Sequence, residues 1–82
     1  LNYHIEIYER RLYFMVVTEE MKKEYLDDVY SEMKRRGFSD AEIPIVIGKT
    51  GFMSAFDEYP DVQLHYDPRD AVTEIIETAA RF

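Results

Sequence analysis

The chain opens with alternating apolar and polar positions. Tyr3, Ile5 and Ile7 are interleaved with His4, Glu6 and Tyr8, the two-residue period of a half-buried strand. Residues 12–17 follow, rich in the aromatic and branched side chains that suit a pleated surface. A connection centred on Glu9 and Arg10 sets Ile7 against Leu12, Ile5 against Phe14 and Tyr3 against Val16. All six then share one side, and a one-residue slip would scatter them. Glu-Arg lacks the Gly or Asn that a tight primed turn needs. A four-residue loop over 8–11 keeps the same pairing and relieves that conflict. The opposite face carries His4, Glu6, Tyr8, Arg11, Tyr13 and Met15. It is too apolar for a plainly solvated face. Either its tyrosines and methionine lie flat with their polar ends wet, or the face meets a cover or a partner.

The period then changes. Met21, Tyr25, Leu26, Val29 and Met33 form one stripe at helical spacing, which predicts a helix over 19–36. Thr18 can cap it through its hydroxyl. Glu19 and Glu20 stand at the positive end of its dipole, and Lys34, Arg35 and Arg36 at the negative end. Gly37 supplies a left-handed stop. Glu19 with Lys23, and Glu32 with Arg36, are favourable pairs four residues apart.

Residues 38–42 read as a connection and 43–47 as a short buried strand. Pro44 cannot donate to a ladder, which suggests an edge or the first strand position. Gly48-Lys49-Thr50-Gly51 breaks the run. Residues 52–59 fit two readings. Thr50 could cap a short helix holding Phe52, Met53, Ala55 and Phe56. Alternatively Phe52, Ser54 and Phe56 alternate as a strand, a reading favoured by the turn signal Tyr59-Pro60-Asp61. Val62, Leu64 and Tyr66 alternate with Gln63 and His65 as a further strand. Asp67 then caps a last helix, with Pro68 at its first position and Asp70 at its third. Val72, Ile75, Ile76 and Ala79 form its apolar face, and Glu77 can pair with Arg81 outside.

Strands intermingled with helices after a leading hairpin predict one α+β domain over residues 1–82. The expected architecture is a two-layer sandwich: a mainly antiparallel sheet of four to five strands with two helices on one face, in the order ββαβ(β)βα. If strands two and three are neighbours, the helix between them makes a right-handed crossover.

Composition narrows the possibilities. Apolar residues are 46% of the 82 and aromatics 15%, more than a disordered chain carries. No apolar run approaches the roughly 18 residues a membrane span needs. Cysteine is absent, which removes disulfides, thiol nucleophiles and thiolate metal sites. The N-terminal segment alternates rather than forming the apolar core of a secretory signal, so the cytoplasm is the expected compartment.

The net charge of -7 is uneven. Seven acids lie within residues 57–77, and Arg69 is the only base there. Phosphates of nucleic acid and anionic membranes would be repelled from that half, whereas a basic protein surface would be attracted. The plain alternative is that the acids keep a small domain soluble.

Chemical motifs are sparse. Gly48-Lys49-Thr50 resembles the end of a phosphate-binding loop, but that pattern needs Gly at position 43, where Ile43 stands. His4 and His65 are the only histidines, and a metal site needs three or four ligands. Asp57, Glu58 and Asp61 form an acidic corner, interrupted by Tyr59 and Pro60 where a calcium loop needs alternating oxygens and a central Gly. Ser31, Ser39 and Ser54 show no nucleophile elbow.

The expectation is therefore a non-enzymatic protein-interaction module without cofactor or metal. Its partner would be a protein with a basic surface, not nucleic acid itself and not a membrane. In a sharper form, the acids occupy the nucleic-acid groove of that partner, as small inhibitors of phages and mobile elements do. The expected contact residues are Asp57, Glu58, Asp61, Glu74 and Glu77. The alternative is a homo-oligomer assembled through Tyr8, Tyr13 and Met15. A small enzyme or metal-dependent protein is the third reading.

Overall fold

The computed structural model describes Glu6–Tyr8, Arg11–Tyr13 and residues 17–82. The two short segments, β1 (Glu6–Tyr8) and β2 (Arg11–Tyr13), pair antiparallel, with Ile7 opposite Leu12. The further pairs expected at Ile5 with Phe14 and Tyr3 with Val16 lie outside the described residues. From Val17 onward the chain is 74% helical and holds no strand. The expected α+β sandwich is therefore wrong. No four- to five-stranded sheet exists among the described residues; helices pack on helices instead.

The first helix, α1 (Glu19–Arg35), follows the sequence closely. The Thr18 hydroxyl accepts from the Met21 amide at 3.1 Å. At the other end Gly37 has φ +105°. The Phe38 amide donates to the Met33 carbonyl, and the Gly37 amide to that of Lys34, a Schellman closure. Phe38 thereby turns back onto the core.

The next segment departs from the strand reading. Residues 43–47 lie in α2 (Glu42–Thr50). Ile43 and Ile47 are buried, while Ile45 between them is 63% exposed. That is the four-residue repeat of a helix, not the two-residue repeat of a strand. The start of α2 is fixed by Ser39 and Glu42. The Glu42 amide donates to the Ser39 hydroxyl at 3.2 Å, and the Ser39 amide donates to the Glu42 carboxylate at 2.8 Å. This reciprocal capping box pairs the Ser39 amide and adds to the Glu42 amide's bond to the Ser39 carbonyl. Pro44 stands in the first turn of α2, where helices leave amides without helical partners. Gly48 and Lys49 belong to α2, and the helix stops at Gly51, with φ +71°.

Residues 52–58 form α3 (Phe52–Glu58), the helical alternative at that segment. Phe52 and Phe56, four apart, are both buried, and Ser54 is exposed. The strand expected over 62–66 is also absent. Its start lies in α4 (Pro60–Gln63), which Pro60 opens at the first position. The Gln63 and Leu64 amides bond four residues back, and the His65 and Tyr66 amides bond three back. These local bonds leave the segment no ladder to join. The last helix, α5 (Pro68–Ala79), begins as the sequence indicates, the Asp67 carboxylate accepting from the Arg69 amide at 2.8 Å.

The core draws Tyr25, Val29 and Met33 from α1, Ile43 and Ile47 from α2, Phe52 and Phe56 from α3, and Ala71, Val72 and Ile75 from α5. Tyr25 and Phe52 flank Phe56, with ring centroids 5.5 and 5.8 Å away, the spacing of favourable tilted aromatic pairs. Helix α5 packs on both α1 and α2, and α3 joins α2 and α4.

Candidate functional site

Helical geometry scatters the acids that sequence order groups together. Asp57 and Glu58 end α3, and Asp61 stands in the first turn of α4. Asp57 reaches toward α1, its carboxylate 3.6 Å from the Lys22 ammonium. Lys22 also lies 3.8 Å from Glu19 and sits over the Phe56 ring. Glu58 is exposed and Asp61 half-buried. Asp57 lines a groove between α1 and α3 whose apolar wall is Leu26, Tyr30 and Met53.

Glu74 and Glu77 lie on α5, one turn apart and both exposed. Glu74 lines a cavity of about 170 Å³ among the end of α2, α3, α4 and α5. Phe52, Ala55, Ala71 and Ile75 supply its apolar lining, and Thr50, Gln63 and Thr78 join Glu74 as polar lining. Glu77 does not line it. The five acids therefore form no single patch: Asp57 and Glu74 open onto different hollows. For Tyr8 and Tyr13 only the backbone is described, and Met15 lies outside the described residues. The oligomer reading attached to them gains no observation.

Beside the cavity, the Gln63 side-chain amide donates to the Tyr25 hydroxyl at 3.2 Å, joining α4 to α1. Burial pushes the Tyr25 phenol above its ordinary range. The Gln63 bond opposes this, and the carboxylates of Asp67, Asp70 and Glu74 add to it.

A second polar centre links α1 to α5. The buried Glu32 carboxylate accepts from Arg35, and from Arg36 Nε at 2.7 Å. Arg36 then crosses to α5, donating from Nη1 to the Thr73 hydroxyl and from Nη2 to the Arg69 carbonyl, both at 2.9 Å. Hydrogen bonds from Arg35 and Arg36 hold the Glu32 carboxyl down at about 2. Arg69 does the same for Asp67, through its side chain and its amide. The spacing of Glu32 and Arg36 predicts their pairing. The crossing to Thr73 joins positions 37 residues apart, which no local signal reveals.

Among the described residues, no group of three or more His, Asp or Glu is placed to hold a metal ion. His65 lies exposed in the turn before α5, and His4 lies outside the described residues. No described helix is long and apolar enough to cross a membrane. Gln63 and Thr78 were not foreseen as site residues. Both are ordinary polar positions until the helices bring them beside Glu74.

No protein-family model, curated protein or solved structure matches the chain.

Proposed function

We propose that the chain is a small non-enzymatic protein-interaction module that docks on a basic protein surface. The distribution of its charges carries this reading. Lys22, Lys23, Lys34, Arg35, Arg36 and Arg69 are each engaged by a carboxylate of the same chain. Asp70, Glu74 and Glu77 instead point outward from α5, and among the described residues no ion pair holds them. Their steps of four and three residues align them on one helix face. A partner bringing lysine or arginine to that face meets carboxylates free to pair.

The sharper idea, that these acids imitate nucleic-acid phosphates, finds less support. At 1.5 Å rise per residue, the α5 stripe sets one charge about every 5 Å. A DNA strand sets one about every 3.4 Å. Asp57, Glu58 and Asp61, the remaining acids expected as contacts, lie on α3 and α4 and do not extend the stripe. The reading favoured is a basic protein surface in general.

The test begins with capture of partners, followed by affinity measurements across a salt series. Affinity should fall steeply as salt rises from about 50 to 500 mM, because exposed charges are screened over that range. The triple variant Asp70→Asn, Glu74→Gln, Glu77→Gln should flatten the dependence. An affinity indifferent to salt and to these substitutions overturns the proposal.

A further inference from the structure

Building on the interaction-module reading, we infer that the cavity among α3, α4 and α5 is a socket for one long basic side chain, an arginine or lysine of the partner. The lining has two chemistries, and few groups satisfy both. Phe52, Ala71 and Ile75 make it apolar on one side, and Glu74 sets a carboxylate beside them with Gln63 and Thr78. A purely apolar ligand would cover the apolar lining and leave the Glu74 carboxylate without a partner. A small inorganic cation would leave the apolar lining uncovered. Arginine and lysine combine an apolar stem with a charged head, and they bury the stem while pairing the head. Arginine has the better match, because its planar fork can donate to several acceptors at once.

The acceptors are present. Gln63 uses its amide nitrogen on the Tyr25 hydroxyl, which leaves its carbonyl oxygen to accept. The Thr78 hydroxyl can accept as well. The volume of about 170 Å³ holds roughly six water-sized groups, a size that suits one such side chain. No ion pair among the described residues holds Glu74, so a cation entering the cavity meets an open carboxylate. Glu77 is a natural control. It shares the helix and the charge of Glu74 but does not line the cavity.

The experiment titrates the full chain, labelled with ¹⁵N, with N-acetyl-arginine methylamide, and in parallel with the neutral isostere N-acetyl-citrulline methylamide. The arginine probe should give saturable amide shifts at Gln63, Ala71, Glu74 and Thr78, with citrulline much weaker. Glu74→Gln should weaken the arginine probe about threefold to fivefold, the range of a partly exposed ion pair. Glu77→Gln should change it less than twofold. Absence of saturable shifts at these amides, equal binding of the two probes, or equal effects of the two substitutions overturns the socket. That failure would leave the wider reading standing if partner binding still followed salt and the α5 carboxylates. Loss of salt dependence with an intact socket would remove the wider reading alone.

Discussion

Ile43 and Ile45 separate the helix from the strand by a single measurement each. In a strand both side chains lie on one face, because successive residues alternate. In α2 they diverge: Ile43 is fully buried and Ile45 is 63% exposed. Truncating a buried isoleucine to alanine removes its transfer energy and leaves a cavity, together about 2–5 kcal/mol. Ile43 is fully buried in the core cluster, so about 3 kcal/mol is expected for Ile43→Ala. An 82-residue domain has a total stability of roughly 4–12 kcal/mol. The loss is thus a quarter or more of the whole. At about 4–8 °C per kcal/mol for a domain of this size, the melting point should drop by about 12–24 °C. Ile45→Ala removes little buried surface and exchanges isoleucine for a better helix former, so its effect should lie within about 0.5 kcal/mol of zero. Urea unfolding followed by circular dichroism gives both values, provided the m-values agree. Equal and large losses at the two positions would refute the helical assignment of this segment.

Two further outcomes follow from the polar contacts. Ser39→Ala removes half of the capping box at the start of α2 and should cost about 1 kcal/mol in the same urea assay; an unchanged midpoint would remove the cap from the account of that helix. The Glu32 carboxyl is lowered from 4.5 to about 2 in the folded chain, so its contribution to stability is complete above about pH 4.5 and is lost as pH falls toward 2. Glu32→Gln should therefore flatten the stability profile across that acid window, and a profile unchanged by the substitution would count against the network.

The two long helices are legible because their ends and faces agree. Thr18, Gly37 and the stripe from Met21 to Met33 all mark α1, and Asp67-Pro68 with Val72 and Ile75 marks α5. The segment between them misleads for a physical reason. Ile43, Val46, Ile47, Phe52 and Phe56 are residues that strands favour, and helices of nine and seven residues are short enough to mimic strand lengths. A brief apolar run fits either period. Tertiary burial on α1 and α5 decides the matter, and local propensity gives way. One signal was present in the sequence: Ser39-Asp40-Ala41-Glu42 has the spacing of a capping box, yet it reads as a mere connection unless a helix is expected after it. The site was legible in part. Glu74 stands out as an acid, but its neighbours Gln63 and Phe52 come from other helices. Asp57, Glu58 and Asp61 look like one corner in sequence, but Asp57 pairs with Lys22 on α1, and the break at Tyr59 puts Asp61 on a separate helix.

The four-residue α4 buries no residue of its own, yet its Gln63 forms one wall of the cavity. A single turn without buried anchors has a low free energy of local opening, well below that of the whole domain. The cavity is therefore bounded by α3, α5 and the end of α2, and by one more compliant wall, α4. Its width can adjust to the group that enters. An occupant resting against Gln63 would restrain that wall, and the amides of Leu64, His65 and Tyr66 would exchange with solvent more slowly as it did so.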